Sequence, residues 1–231
     1  MVPATFSLPS SRYQLPYRLF VPGAVRGTAP LIVWLHSTDG RGQDNAQQLG
    51  PEVEVLVSDR VQRAGPAFVL APQCPRGDKW ANRDATFPLR PYDLGAVPES
   101  DAARSTVALI GSLLGRYPID PKRIYLMGFS MGGSGTWDML MRHPELFAAG
   151  VPIAGVADVG RASLLASMPV WSFHGELDAT SPVQNGRRIA AELTKAGAPA
   201  RYTEFQGVAH GSVGPALQEP ELFAWLFAQR R

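Results

Sequence analysis

The sequence predicts an α/β fold in which helices cover both faces of a mostly parallel sheet. Short apolar runs alternate along the chain with segments in which apolar residues recur at helical spacing, as in repeated strand–helix units. Most of these runs are apolar throughout, which indicates strands that are buried on both faces. The length of 231 residues suits one domain over residues 1–231 and is short for two domains and a linker.

The strands are expected where the short apolar runs lie. They cover residues 17–21, 31–35, 67–70, 123–127, 151–154, 170–173 and 201–205. Helices are expected where apolar residues recur every three or four positions, and we expect these apolar faces to pack on the sheet. Their apolar positions are Ala103, Val107, Ile110 and Leu114 before Pro118, then Ile189 and Leu193, and finally Leu222, Trp225 and Leu226.

Composition and charge exclude several classes of function. The chain has 22 Lys and Arg residues and 20 Asp and Glu residues, which gives a net charge of +2. The basic residues are scattered along the sequence, so no cluster of them indicates binding to nucleic acid or anionic lipid. Cys74 is the only cysteine, so an intramolecular disulfide is impossible. The four histidines lie far apart, without a metal-binding or nucleotide-binding motif. We therefore expect no metal, no cofactor and no nucleic-acid partner.

Signals for targeting or membrane insertion are missing from the sequence. The first residues carry no basic head followed by an apolar stretch, and no segment approaches the roughly 20 apolar residues that cross a bilayer. We therefore expect a cytoplasmic protein without a membrane span. The mature part of a secreted protein would have the same features, and nothing in the pattern indicates an oligomeric state.

Two connections are informative because of their lengths. Residues 73–100 are rich in Pro, Gly and Asp and contain Trp80, Phe87 and Tyr92. So long a connection in a compact domain is usually functional, and we expect these aromatic residues to line a substrate pocket, with the core as the alternative position for each. Residues 156–169 leave too few positions for a large lid between two strands, which predicts an open site.

A glycine-rich segment after the fourth predicted strand carries the strongest functional signal. It reads Gly128-Phe129-Ser130-Met131-Gly132-Gly133 and opens a predicted helix. A G-x-S-x-G pattern in this setting predicts a nucleophile elbow, in which the serine has a strained backbone and the glycines avoid collisions two positions to either side. Gly133 and Gly135 are expected to bring the helix close to the sheet. The alternative is an ordinary glycine-rich turn with Ser130 as a helix N-cap.

A serine nucleophile needs a base, and the base needs a group that orients it. His210 follows the last predicted strand and Asp178 follows the strand before it, so the chain order is Ser, Asp, His. Both positions lie at the carboxyl ends of parallel strands, the edge at which open α/β sheets bind ligands. Glu176, which lies closer to its strand, or Asp158 could orient the base instead of Asp178.

The other histidines are expected to have structural functions. His36 and His174 close strands, and a histidine in that position more often bonds the loop backbone than reacts. His143 precedes Pro144 near the end of a predicted helix, where it would interact with the helix dipole at the surface.

An acyl-transfer site also needs N–H donors for the oxyanion. Met131 directly follows the predicted nucleophile and supplies the first donor. The second is expected from the loop at residues 36–40, and Thr38 is our choice of residue. The alternative is that Ser37 and Thr38 only form a turn.

Taken together, these residues resemble the α/β-hydrolase superfamily, and within it the lidless esterases related to poly-hydroxybutyrate depolymerases, dienelactone hydrolases and predicted peptidases. The resemblance extends from about residue 14 to residue 227, and the elbow and the positions of Asp178 and His210 are its specific part. Other similar segments are residues 15–22, 41–45, 71–75, 117–121, 137–138 and 144–148. The chain departs from the family at Ser37, where glycine is usual, and after His210, where an aromatic residue is expected.

The resemblance implies carboxylic-ester hydrolysis with Ser130, Asp178 and His210 as the catalytic triad. We therefore expect a serine carboxylesterase that acts on small or short-chain esters through an acyl-enzyme intermediate. A peptidase or thioesterase would use the same triad. A ligand-binding module without turnover is the alternative from another class of protein.

Overall fold

The computed structural model describes residues 1–8, 13–23, 25, 27–82 and 92–231, in which eight strands form one sheet flanked by helices. The strands are β1 (Val2–Ser7), β2 (Gln14–Phe20), β3 (Ala29–Leu35), β4 (Phe68–Pro72), β5 (Ile119–Phe129), β6 (Ala149–Ile153), β7 (Val170–Gly175) and β8 (Ala200–Phe205). The helices are α1 (Pro51–Val57), α2 (Asp59–Ala64), α3 (Asp101–Leu114), α4 (Met131–Arg142), α5 (Val183–Lys195), α6 (Val213–Gln218) and α7 (Leu222–Ala228). Short 3-10 segments cover Thr38–Gly40 and Val159–Leu165.

The strand order across the sheet is β1-β2-β4-β3-β5-β6-β7-β8. The β1–β2 and β2–β4 pairs are antiparallel, and the other pairs are parallel. The predicted mostly parallel sheet is therefore confirmed, and each predicted strand is present. The edge strand β1 was not predicted because it lacks the continuous apolar run that marks the other strands, and all six of its residues are exposed or half-buried.

Central strands bury side chains on both faces of the sheet. In β3, Leu31, Val33 and Leu35 join one apolar core, and Ile32 and Trp34 join the other, because successive side chains of a strand point to opposite faces. Helices α3, α4 and α5 cover the first face, and α1, α2, α6 and α7 cover the second. Helices on both faces were predicted. Within the described ranges, no helix is long and apolar enough to cross a membrane.

The connection between β6 and β7 contains only a short 3-10 segment at Val159–Leu165. No large lid domain is inserted there, as predicted from the length of this connection. The carboxyl ends of β5, β7 and β8 consequently meet at an edge of the sheet that this connection does not cover with a separate domain.

Candidate active site

Ser130 lies in a sharp turn between β5 and α4, with a left-handed φ of 57° and a ψ of −113°. A Cβ atom on Gly128 would lie 2.5 Å from the carbonyl oxygen of Gly132, and a Cβ atom on Gly132 would lie 1.8 Å from the carbonyl oxygen of Leu35. A Cβ atom on Gly133 would lie 2.3 Å from a carbonyl oxygen of β6. Close backbone approach therefore requires glycine at these positions, as predicted from the spacing.

His210 lies between the other two members of the predicted triad. Its Nδ1 is 2.8 Å from Oδ2 of Asp178, and its Nε2 is 2.8 Å from Oγ of Ser130. A carboxylate only accepts hydrogen bonds, so Nδ1 carries the ring proton and Nε2 accepts the proton of the Ser130 hydroxyl. This is the arrangement in which an imidazole can remove a proton from a serine.

Asp178 is buried at the carboxyl end of β7 and is held on both carboxylate oxygens. While Oδ2 accepts the hydrogen bond from His210, Oδ1 accepts the backbone N–H groups of Thr180 and Ser181 at 2.9 and 2.8 Å. These bonds leave the carboxylate little freedom to turn.

The two alternative carboxylates contact other groups. Glu176 accepts the backbone N–H of Gly207 at 2.8 Å. Asp158 accepts the N–H groups of Leu94 and Gly160 at 2.8 and 3.0 Å and caps the 3-10 segment that follows it. The structure therefore brings Asp178, and neither alternative, to the imidazole of His210.

Phe129 packs against the imidazole and was not predicted to belong to the site. Its ring centroid lies 5.1 Å from that of His210, with 34° between the two ring planes. The half-buried aromatic ring limits tilting of the imidazole. Its position next to Ser130 is the sequence signal that could have indicated this contact.

The two predicted oxyanion donors lie at the ends of β5 and β3. Met131 begins α4, where the first N–H groups of a helix have no intrahelical acceptor. Thr38 begins the 3-10 turn. Its carbonyl oxygen accepts two hydrogen bonds from Arg41, one from the backbone N–H at 3.3 Å and one from Nε at 3.2 Å. Ser37 has φ −68° and ψ 178°, an extended conformation that any residue adopts. The role of Met131 and Thr38 as oxyanion donors stays a prediction.

His36 holds the chain after β3 through both ring nitrogens. Nε2 accepts the backbone N–H of Cys74 at 3.0 Å, so Nδ1 carries the proton and donates to the carbonyl of Ser37 at 2.6 Å. Burial lowers the pKa of His36 from 6.5 to about 4, which keeps the ring neutral. The expected bonding of His36 to the loop backbone is present.

Gln73 ties the same loop to the end of β4, and sequence reasoning missed it. The side chain is fully buried, and its Nε2 donates to the carbonyl of Gly40 at 3.3 Å and to Oδ1 of Asp44 at 2.7 Å. Its Oε1 accepts the backbone N–H of Asn45 at 2.7 Å. A buried amide with these partners fixes the loop by hydrogen bonds, whereas a single glutamine in the sequence gives no such signal.

The remaining histidines also bond to neighbouring groups. Nε2 of His174 lies 2.8 Å from the carbonyl oxygen of Ser181, the kind of backbone contact that was expected. Burial lowers the pKa of His174. His143 follows α4, and its Nε2 lies 2.8 Å from the carboxylate of Glu99, which raises the pKa of His143.

Two of the three predicted pocket aromatics are buried side chains. Trp80 has no exposed surface, its Nε1 donates to the carbonyl of His36 at 3.0 Å, and its Cβ lies 2.2 Å from where Gly135 would place a Cβ. Tyr92 is buried and its hydroxyl donates to Asp138. The expectation that Trp80 and Tyr92 line a substrate pocket stays a prediction, and their contacts with α4 favour the alternative position in the core. Phe87 lies outside the described residues.

Among the residues that the structure describes, no group of three or more His, Cys, Asp and Glu side chains could hold a metal ion. The described site has the parts of acyl transfer to a serine: a hydroxyl, an imidazole and a buried carboxylate in hydrogen-bond contact.

The strand order, the elbow and the similarity to solved esterases define an α/β-hydrolase. A family model described as Esterase PHB depolymerase matches residues 15–179, more than half of the chain. The chain therefore belongs to the Esterase PHB depolymerase family. The description of the family model names esterases.

Three similar proteins illustrate the extent of the match. A structure described as a thermostable esterase is 38% identical with a TM-score of 0.92, covering 100% of this chain and 63% of that one. Esterase PE8 shares the fold at 20% identity and a TM-score of 0.68, over 91% and 97% of the two chains. The bifunctional acetylxylan esterase/xylanase XynS20E of Neocallimastix patriciarum is 27% identical over 161 residues, which are 69% of this chain and 21% of that protein. The chain thus spans less than two thirds of the first and third of these proteins.

Proposed function

We propose that this chain hydrolyses carboxylic esters through a covalent acyl-serine intermediate. The observation that carries the proposal is the imidazole of His210, which lies 2.8 Å from the carboxylate of Asp178 on one side and 2.8 Å from the hydroxyl of Ser130 on the other. Membership of an esterase family supports the same reaction.

In the proposed first step, Oγ of Ser130 attacks the carbonyl carbon of the ester while Nε2 of His210 takes the hydroxyl proton. His210 then gives this proton to the leaving alcohol, and the acyl group stays on Ser130. A water molecule then attacks the acyl-serine ester while His210 takes its proton. The acid is released, and His210 returns the proton to Oγ of Ser130. Asp178 holds the Nδ1 proton and stabilises the imidazolium that forms in each half of the reaction.

The negative charge on the attacked oxygen needs donors close to the elbow. We propose the backbone N–H groups of Met131 and Thr38 for this purpose. The packing of the elbow against the end of β3 supports this choice, because a Cβ on Gly132 would collide with the carbonyl of Leu35 at 1.8 Å and would lie 2.9 Å from that of His36. Thr38 follows only two residues later.

Small or short-chain esters are the proposed substrates. The connection between β6 and β7 carries no lid domain, and the side chain of His210 is 27% exposed, so a substrate can approach from solvent. The name of the Neocallimastix patriciarum relative includes acetylxylan esterase, and an acetyl group is a short acyl group. The proposed partner is therefore a small-molecule ester.

Replacement of the nucleophile tests the proposal. Ser130→Ala should lower kcat on p-nitrophenyl acetate and butyrate by about 10³-fold or more, since the residual rate then comes from binding and oxyanion contacts alone. Ser172→Ala is the matched control, because it removes another buried serine hydroxyl, on β7, and should leave turnover unchanged. Turnover retained by a folded Ser130→Ala protein, with folding checked by thermal unfolding, would refute the proposal.

Two parallel measurements separate this proposal from the alternatives. Faster turnover of an aminoacyl amide or a thioester than of the matched ester would indicate a peptidase or thioesterase. A fluorophosphonate should label the wild type and not Ser130→Ala, because only an activated serine reacts with it. Absence of labelling in the wild type would indicate a binding module without turnover.

A further inference from the structure

His174 contacts the acidic member of the proposed triad from inside the sheet. Its side chain is 3% exposed, and its Nε2 lies 2.8 Å from the carbonyl oxygen of Ser181 and 3.5 Å from Oδ2 of Asp178. A carbonyl oxygen only accepts hydrogen bonds, so Nε2 carries the ring proton. The proton of His174 therefore points toward both the carbonyl and the carboxylate.

The same turn is bonded from both sides. The N–H groups of Thr180 and Ser181 hold Oδ1 of Asp178, and the carbonyl of Ser181 is held by His174. The direction of the carboxylate consequently depends on the position of residue 181, and that position depends on a bond from β7. Gly186 leaves room for this ring, because a Cβ there would lie 2.7 Å from Nδ1 of His174.

We propose that His174 is a positioning residue for the catalytic Asp178. Its Nε2–H fixes the turn over residues 178–181, so that Oδ2 of Asp178 stays aligned with Nδ1 of His210. This inference rests on the proposed function. His174 does not serve as a second base for Ser130, since its ring is buried and its Nε2 is occupied by the turn.

The neutral form of His174 suits this task. The charged or titratable groups that act on its ring are Asp178, His210 and Glu204, the last of which is its register partner on β8. Burial lowers the pKa of His174, so its ring adds no positive charge beside Asp178. The full negative charge of Asp178 therefore remains available when His210 becomes an imidazolium.

Variants at position 174 separate the donated hydrogen bond from the volume of the ring. His174→Phe keeps a ring and loses the donor, His174→Gln keeps an amide donor near the place of Nε2, and His174→Asn has an amide too short to reach it. We expect kcat on p-nitrophenyl acetate to fall about 10- to 100-fold in the Phe and Asn variants, with KM within about two-fold, because misalignment of a catalytic group costs this much. His174→Gln should retain most of the activity.

Ser172→Ala is again the matched control, since residue 172 is buried in the same strand and on the same face as His174. It should leave kcat unchanged. In His174→Phe and His174→Asn, the acid limb of the kcat/KM profile should move to lower pH, because a poorly aligned carboxylate stabilises the imidazolium of His210 less. A merely structural role would reduce the amount of folded enzyme without moving this limb.

A double-mutant cycle with Asp178→Ala gives the decisive measurement. If His174 acts through Asp178, His174→Phe should change the residual kcat of Asp178→Ala by less than about two-fold. An equal loss in both backgrounds would overturn the inference, as would wild-type kcat in His174→Phe. If His174→Phe does not fold, His174→Asn and His174→Gln replace it in the same double-mutant cycle. Equal activity of these two variants would overturn the inference.

Failure of this inference is distinguishable from failure of the proposed function. Wild-type turnover in folded Ser130→Ala would remove the proposed function and this inference with it. Loss of turnover in Ser130→Ala and Asp178→Ala, combined with wild-type turnover in His174→Phe, would remove the role of His174 alone.

Discussion

The two loops that meet at the proposed site are held in opposite ways. The elbow around Ser130 is fixed by close backbone contacts, with glycine at 128 and 132 where any Cβ would collide. The loop after β3, residues 36–45, is fixed by two buried polar side chains: Gln73 bonds to the backbone of the loop, and His36 bonds to the loop and to the backbone N–H of Cys74. We call this second segment the β3 loop.

The difference shows which changes each loop tolerates. The elbow has no space for additional atoms, since a Cβ on Gly132 would lie 1.8 Å from the carbonyl oxygen of Leu35. That oxygen belongs to the backbone and, unlike the end of a flexible side chain, it cannot move aside. The β3 loop depends on atoms that are already present, because loss of a buried hydrogen-bond partner leaves its backbone groups unpaired. Additions should therefore damage the elbow, and deletions should damage the β3 loop.

The largest effect is expected from Gly132→Ala in the elbow. The new methyl group would collide with the carbonyl of Leu35, so we expect a loss of about 4 kcal/mol or more in the free energy of unfolding, together with loss of esterase turnover. Urea unfolding and p-nitrophenyl acetate hydrolysis measure the two effects.

The control is Gly111→Ala in α3, where nothing lies within 4 Å of the added atom. Because alanine favours helix over glycine, this change should stabilise the protein by about 0.5–1 kcal/mol. Similar effects of the two substitutions would contradict the argument from backbone contacts.

The next largest effect is expected from Gln73→Leu. This change leaves the carbonyl of Gly40 and the N–H of Asn45 without their partner, so we expect a loss of about 3 kcal/mol in the free energy of unfolding and a lower kcat. Gln47→Leu changes an exposed glutamine two residues beyond the β3 loop and should stay within about 0.5 kcal/mol of the wild type. Denaturant midpoints that do not differ between the two variants would show that the buried amide does not hold the loop.

An intermediate effect is expected from the titration of His36. Its pKa is about 4 in the folded protein and 6.5 in the unfolded chain, so between these values only the unfolded state binds the proton. Stability should therefore fall as the pH falls, and the contribution of His36 amounts to a loss of about 2 kcal/mol between pH 7 and 5. In His36→Asn, the drop in the free energy of unfolding from pH 7 to 5 should be smaller by about this amount. An equal drop in both proteins would show that His36 is not buried as a neutral ring.

The smallest effect is expected from Ser37→Gly, which restores the residue usual in the family. Ser37 has an ordinary extended backbone, so glycine offers no relief and only increases the freedom of the unfolded chain. We expect stability to fall by about 0.5 kcal/mol and kcat to stay within about two-fold of the wild type. A large rise in kcat would mean that the serine displaces the β3 loop.

The sequence predicted those features that depend on residue types with few alternative functions, such as glycine in a tight turn. The glycine spacing around Ser130 predicted the elbow, and the positions of Asp178 and His210 after their strands predicted that the two side chains would meet beside it. The assignments of Trp80 and Tyr92 to a pocket stay predictions; an aromatic residue in a long connection fits a core equally well, and both side chains are buried. The single-domain organisation and the cytoplasmic location stay predictions.

Contacts made by unremarkable residues could not be predicted. Gln73 and Phe129 acquire their positions from the packing of distant segments. A glutamine does not by itself indicate bonds to a loop, and a phenylalanine does not by itself indicate packing on a histidine ring. The bonding of His174 to the loop backbone was expected from its place at the end of a strand, whereas its particular partner, Ser181, depends on the path of the turn that follows.

The left-handed backbone of Ser130 has a consequence for turnover. A serine at φ 57° costs of order 1 kcal/mol relative to a relaxed conformation, and the tertiary structure holds it there before any substrate arrives. The chain therefore meets this cost once, while it folds. In the proposed reaction, each substrate molecule would meet a hydroxyl that is already in position, and none of its binding energy would be needed to strain the backbone of Ser130.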